Sequence, residues 1–392
     1  MMRSILLILL LTLLGSAQAD AQTATFEFTP NISNPELDAA MEYAGEIWGT
    51  YLQSEVTIKV NVFFTPVDLG FLGLAVPNGR KGFSGAPEPE FWYPTSLANS
   101  LAGIELNPGE ADMDLLLPNV GVVDWYLGLD GNPGNAQYDF VSVFLHEIGH
   151  GLGILSLANV EDELGSFGMI GEEQFAPYNP SFPLPDQEGI PGIYDTYLVT
   201  GTGAVIITDF MNNSADLEGI FTGNSVFFDG PTSRAANNGE AVRIYAPGSY
   251  SFGSSITHIN ENTYPSSSGN ALMTPSIGLG EVEHDPGPIV LGMLSDIGWN
   301  PSGSNTQEID QQLRWYTYPQ GSRVAVFIDG IPQQELKVGL YDFMGQLLDI
   351  QTLVGTGQQD IKLGQNLVSG AYIVRIISPG QQWTKKVFWT DN

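Results

Sequence analysis

His146-Glu147-Ile148-Gly149-His150-Gly151-Leu152-Gly153 decides how the rest of the chain is read. Residues four apart on a helix share a face, so His146 and His150 can present their rings to one metal ion. Imidazole nitrogen is a good zinc ligand, and two at this spacing fit one side of a tetrahedral site. Glu147 lies beside that face, where a carboxylate can hold a water and take its proton. The 392 residues include only four histidines, and two stand in this motif. The plain alternative is a buried helix with two hydrogen-bonded histidines.

The spacing predicts a helix from about Tyr138, with Phe140, Val141, Phe144, Leu145, Ile148 and Leu152 on its buried side. Gly151 and Gly153 favour a stop, because glycine accepts the left-handed conformation that ends helices. Just upstream, Asp130-Gly131-Asn132-Pro133-Gly134-Asn135 offers oxygens to a calcium ion. It lacks the spacing of a known calcium loop and reads first as a plain turn.

Further out, Pro35 to Tyr51 has helical spacing, with Asn34 as N-cap and proline at the first position. Val56–Phe64, Phe71–Val76 and Ala111–Leu117 read as strands and Thr95–Leu101 as a short helix. Residues 157–257 form a long Gly- and Pro-rich insertion with strand signals at Ala204–Ile207 and Ser225–Phe228. A last helix runs from Pro288 to Ile297 and closes at Gly298. From Arg323 on, alternating strands recur at Val324–Ile328, Leu336–Tyr341, Tyr372–Ile377 and Trp383–Trp389, which suggests a small β-sandwich.

Charge marks the same boundary. Residues from 305 on carry seven Lys/Arg against eight Asp/Glu, which leaves six against thirty-six in the rest of a chain of net charge −31. So acidic a body argues against nucleic-acid or anionic-membrane partners. Solubility or salt tolerance explains it first, and calcium sites second. Arg3, the short apolar run Ile5–Leu14 and small residues at Ala17-Gln18-Ala19 and Ala19-Asp20-Ala21 read as a secretory signal over 1–21. The run is too short to span a bilayer, and no later stretch reads as transmembrane. With no cysteine, the exported chain has no disulfide, thiol switch or cysteine nucleophile.

Catalytic zinc usually takes three protein ligands and keeps one open position. The close-spaced pattern His-Glu-x-x-His-x-x-Gly-x-x-His would put its third histidine at 156, where this chain has serine. Three alternatives stand. One is His258, followed by Ala271-Leu272-Met273-Thr274-Pro275. Another is His284, which also reads as a surface or capping residue beside Asp285. The last is a carboxylate among Glu161, Glu163, Glu172 and Glu173.

The glycine at 153, the distant His258, the methionine segment and Gly292-Met293-Leu294-Ser295-Asp296-Ile297-Gly298-Trp299 together resemble leishmanolysin-type metzincins. The likeness covers roughly residues 34 to 300, strongly at 138–153 and 253–299. It implies His146, His150 and His258 as zinc ligands, Glu147 as general base and Met273 in a turn beneath the metal. It also implies a secreted endopeptidase acting on an extended peptide paired along an edge strand, for which Asp112–Leu117 is the candidate. The family's disulfides have no counterpart here. The negative field of this part would favour basic peptides.

Gly339-Leu340-Tyr341-Asp342-Phe343-Met344-Gly345-Gln346, Leu367-Val368-Ser369-Gly370-Ala371-Tyr372-Ile373-Val374 and Lys385-Lys386-Val387 resemble the sorting domain of type IX secretion cargo. That resemblance implies a secretion machinery as partner and a secreted or cell-surface location. An ordinary accessory domain is the alternative. The expected class is therefore α+β. A metzincin-like domain over 22–300, with a mixed twisted sheet, an active-site helix and an insertion at about 157–257, precedes a linker at 301–310. An Ig-like β-sandwich over 311–392 follows. The competing function is a non-catalytic surface or adhesion protein that keeps the metal for structure. A structural site would need a fourth protein ligand.

Overall fold

The computed structural model describes residues 23–171, 189–301 and 314–389, apart from 321–322, 332–335, 343–345, 354–356, 369 and 379–380. The signal reading over 1–21, the carboxylates Glu172 and Glu173, and nearly all of the 301–310 linker lie outside these residues. The architecture is mixed α+β, in two units, Met1–Gly303 and Ser304–Asn392.

In the first unit β1 (Phe26–Pro30) leads into α1 (Pro35–Tyr51). Asn34 Oδ1 accepts from the backbone N–H groups of Glu36 and Leu37, and Pro35 has no N–H that would need an acceptor, so α1 starts here. Leu37, Met41, Ala44 and Trp48 fall on one stripe and are buried. Strands β2 (Ile58–Thr65) and β3 (Leu74–Pro77), helix α2 (Thr95–Ala102), strand β4 (Met113–Pro118) and helix α3 (Phe140–Gly151) follow. The sheet order is β1-β2-β4-β3. The first three strands are parallel, and β3 runs antiparallel to β4 with Leu74 opposite Leu116 and Pro77 opposite Met113. Trp48 Nε1 donates to the Leu145 carbonyl at 3.1 Å, which ties α1 to α3.

Four local expectations are corrected. The Asp112–Leu117 segment is no edge: β4 lies between β2 and β3, with Met113, Asp114, Leu115 and Leu117 all buried. The edge is β3. Helix α3 begins at Phe140, because Tyr138–Asp139 pairs in parallel with Trp125–Tyr126. Ala204–Ile207 makes no strand; a single helical turn runs over Ile206–Asp209, and Asp209 Oδ2 accepts from the Val205 N–H. The N-cap position of the last helix, α4 (Gly287–Ile297), is Pro286 rather than Asp285, although Asp285 Oδ1 still accepts from the Gly287 N–H at 2.9 Å.

The insertion contains an antiparallel pair, Ala158–Glu161 with Leu164–Phe167. It also holds a three-stranded sheet of Leu198–Thr200, Val226–Phe228 and Val242–Arg243. Its Leu198, Phe221, Phe228 and Val242 share one hydrophobic core with α1, α3 and α4, so it folds as part of the unit. Stretches near residues 24 and 300 both pair with the extended Leu52–Gln53 segment. The Ala24 N–H donates to the Leu52 carbonyl at 2.9 Å, and the Gln53 N–H donates to the Asn300 carbonyl at 3.1 Å.

The second unit has seven described strands: β5 (Arg314–Gln320), β6 (Arg323–Ile331), β7 (Leu336–Asp342), β8 (Leu347–Leu353), β9 (Gly357–Leu363), β10 (Gly370–Ser378) and β11 (Gln381–Trp389). They form antiparallel sheets β5-β6-β9 and β8-β7-β10-β11 around one core that includes Val326, Leu363, Val338 and Val374. No described helix is long and apolar enough to cross a membrane.

Candidate metal centre

Asp139 begins the site. Its Oδ1 accepts from the Ser142 N–H at 2.8 Å and the Ser142 hydroxyl at 2.7 Å, which fixes the N-terminus of α3. His146 and His150 follow at i and i+4. The helix ends where Gly153 adopts φ 118°, and a side chain there would also meet Ile297 Cδ1 at 2.7 Å from its Cβ. Only glycine satisfies both demands. The turn brings the Ile154 carbonyl back to within 2.7 Å of His150 Nδ1.

His258 arrives from the far end of the insertion. Its Nε2 lies 3.0 Å from that of His146 and 3.2 Å from that of His150, and the two helical rings are 3.0 Å apart at the same atoms. Each Nδ1 faces a backbone carbonyl: Leu272 for His146 at 2.6 Å, Ile154 for His150, and Ser254 for His258 at 2.8 Å. A carbonyl accepts only, so every Nδ1 carries the proton and every Nε2 is a bare lone pair. Burial pushes His146 down to about 4, His258 down to about 3, and His150 well below its usual range. The rings stay neutral, so no proton can bridge three converging lone pairs. A divalent cation about 2.0–2.1 Å from each nitrogen fits this donor set. Among the described residues these three form the one group of His, Asp or Glu close enough to hold a metal.

Met273 is fully buried beneath α3, and a Cβ on Gly149 would sit 2.5 Å from its sulfur. Its carbonyl accepts from the Ile259 N–H at 3.0 Å, which links this turn to the segment carrying His258. Glu147 lies one residue along α3 from His146 and faces the cleft, 4% exposed. Burial pushes its carboxyl up to about 8. Gly73, just before β3, lies against it: a Cβ there would come within 2.3 Å of Glu147 Oε1. Nothing in the sequence marks Gly73, because a contact across 74 positions leaves no spacing signature.

The cleft over these residues has a volume of about 880 Å³. Strand β3 forms one wall with Leu74 and Val76. Leu155, Leu157, Ile170 and Phe252 extend the apolar surface. Glu261, Glu281 and Glu283 line an acidic rim. Glu283 Oε1 is buried without a hydrogen-bond partner, and burial, then the charges of Glu281 and Asp285, raise this carboxyl to about 7.

The remaining candidates sit elsewhere. His284 is half-buried, and its Nε2 lies 2.6 Å from Asp139 Oδ1, so it braces the start of α3 rather than joining the triad or facing solvent. Glu161 and Glu163 are exposed on the first insertion hairpin. In the 130–135 loop, Asp130 accepts from the Tyr126 hydroxyl and the chain turns at Gly131, φ 66°.

Residues 316–389 match the family described as the secretion system C-terminal sorting domain. The chain thus carries a type IX sorting tail, which indicates a secreted or cell-surface protein handled by a secretion machinery. No curated protein matches the chain.

Proposed function

We propose that this chain is a secreted zinc endopeptidase with a metzincin-like catalytic unit. The observation that carries the reading is the convergence of three bare imidazole nitrogens beside Glu147 on the floor of an open cleft. His146, His150 and His258 would hold the ion. When bound, zinc lowers the pKa of water and polarises the carbonyl of the scissile bond. The chain's own groups supply the rest. The buried Glu147 carboxyl, whose ionised form a cation held by the three histidines would favour, takes a proton from the attacking water and delivers it to the leaving amine nitrogen. The free edge of β3 offers backbone donors and acceptors to an extended peptide, which sets the bond above the triad. The apolar wall excludes bulk water and strengthens each electrostatic contact.

A structural metal site would be closed by a fourth protein ligand. Among the described residues no fourth His, Asp or Glu joins the three, which favours catalysis over a purely structural ion. The test is casein hydrolysis by the purified protein, with and without a chelator. Activity should vanish with the chelator and return with added zinc. Glu147→Ala should lower kcat by about 10²–10⁴-fold while the protein still binds one equivalent of metal. Chelator-resistant hydrolysis, or full activity in Glu147→Ala, would sink the reading.

A further inference from the structure

His258 follows directly on the insertion, and two insertion residues connect to its approach from a turn more than sixty positions earlier. Tyr194 and Asp195 open the 3₁₀ turn Tyr194–Tyr197, and both are fully buried. Asp195 Oδ1 accepts from the Ser156 hydroxyl at 2.6 Å. Its Oδ2 accepts from the N–H groups of Leu157 at 3.1 Å and Gly192 at 2.8 Å. Ser156 stands where the close-spaced pattern would have its third histidine. Here it anchors the segment whose Ile154 carbonyl fixes His150 Nδ1. The Ser156 N–H in turn donates to Thr257 Oγ1 at 3.3 Å, beside His258.

Tyr194 acts on the opposite side. Its hydroxyl lies 3.3 Å from the carbonyl oxygen of Ile256 and 3.4 Å from that of Thr257. Ile256 has φ 70°, in the left-handed region that a β-branched residue strongly avoids. Such a conformation persists only where the surroundings over-determine it. Tyr194 is one of those surroundings. Another is the paired hydrogen bonds of Tyr245, which accepts from the Ile256 N–H and donates to the His258 carbonyl, each at 2.8 Å.

We propose that Tyr194 and Asp195 are positioning residues for the metal centre: one turn of the insertion grips both the exit of the ligand helix and the strained approach to His258, and so sets the separation of His150 and His258. The hydrogen bonds run through Ser156, Thr257 and Ile256, and neither side chain needs to touch the ion. This rests on the reading that the three imidazoles bind a divalent cation.

The test uses the full chain freed of metal and titrated with cobalt(II), whose visible spectrum reports coordination geometry. Tyr194→Phe and Ser156→Ala each remove one hydroxyl from a buried contact with little change of shape. Each should weaken cobalt affinity by about tenfold or more, in the range usual for groups that orient metal ligands, and should alter the visible bands. The melting temperature of the metal-free protein should move little. Asp195→Asn should do the same more strongly; if it fails to fold, the two milder variants decide. Affinity within twofold of wild type with an unchanged spectrum overturns the proposal. So does weaker binding fully matched by lost stability of the metal-free protein with unaltered bands. A wild-type chain that binds no cobalt overturns the proposed function as well.

Discussion

Gly73 leaves no room for a further carbon beside the Glu147 carboxylate. A side chain at 73 would occupy the place of the Glu147 carboxylate, so Gly73→Ala must push that group aside. A displacement near 1 Å can cost about 10²-fold in rate. We expect Gly73→Ala to lose activity on that scale with zinc affinity unchanged, and parallel activity and metal titrations would check it. The histidines give a second prediction. Their folded-state values lie below the ordinary 6.5, with His146 near 4 and His258 near 3, because burial disfavours the charged ring. The unfolded chain therefore binds more protons between those values and about 6.5. Their contribution to the stability of the metal-free protein is full above about 6.5 and is lost as pH falls through 4 toward 3. Melting scans of the chelated protein across pH 7 to 4 should show that decline, and His258→Gln should flatten it. At this scale the sequence was legible where residues lie close in the chain. His146, Glu147 and His150 follow from helical spacing alone. His258 and Met273 came from family resemblance, and Tyr194, Asp195 and Gly73 came from neither, because their partners are far away in the chain.

Among the elements, α3 and β3 build the cleft. The helix was readable because its apolar period and its glycine stop agree; its Asp139 N-cap was not, so its start was set two residues early. The edge strand was misplaced for a physical reason. Met113-Asp114-Leu115-Leu116-Leu117 is a near-continuous apolar run, the mark of a strand buried on both faces, and such strands sit inside a sheet. Ala204–Ile207 failed because so short an apolar run suits a helical turn as well as a strand. Glu261, Glu281 and Glu283 line the cleft itself, so an extended peptide along β3 passes a rim of carboxylates. Cleavage of a peptide library should favour Lys or Arg at positions flanking the scissile bond, by several-fold at low salt and less at high salt. A flat preference, or one indifferent to salt, would remove this expectation.

The whole molecule consists of two units with separate hydrophobic cores, one built over 24–299 and one over 324–387. Separate cores unfold separately unless something couples them. Calorimetry of the full chain should show two transitions, and a chelator should lower only the one belonging to the first unit, since all three imidazoles lie there. A single transition that moves as a whole would contradict this. The boundary near 300 was visible in the sequence because the excess of acidic over basic residues ends there; how the insertion merges into the first core was not, because its strands are only two to four residues long. In that merged unit residues 24 and 300 both hydrogen-bond to the extended Leu52–Gln53 segment, one through the Leu52 carbonyl and the other through the Gln53 N–H. In a protein without cysteine such backbone ties, rather than a covalent staple, hold two stretches far apart in the chain to one common segment.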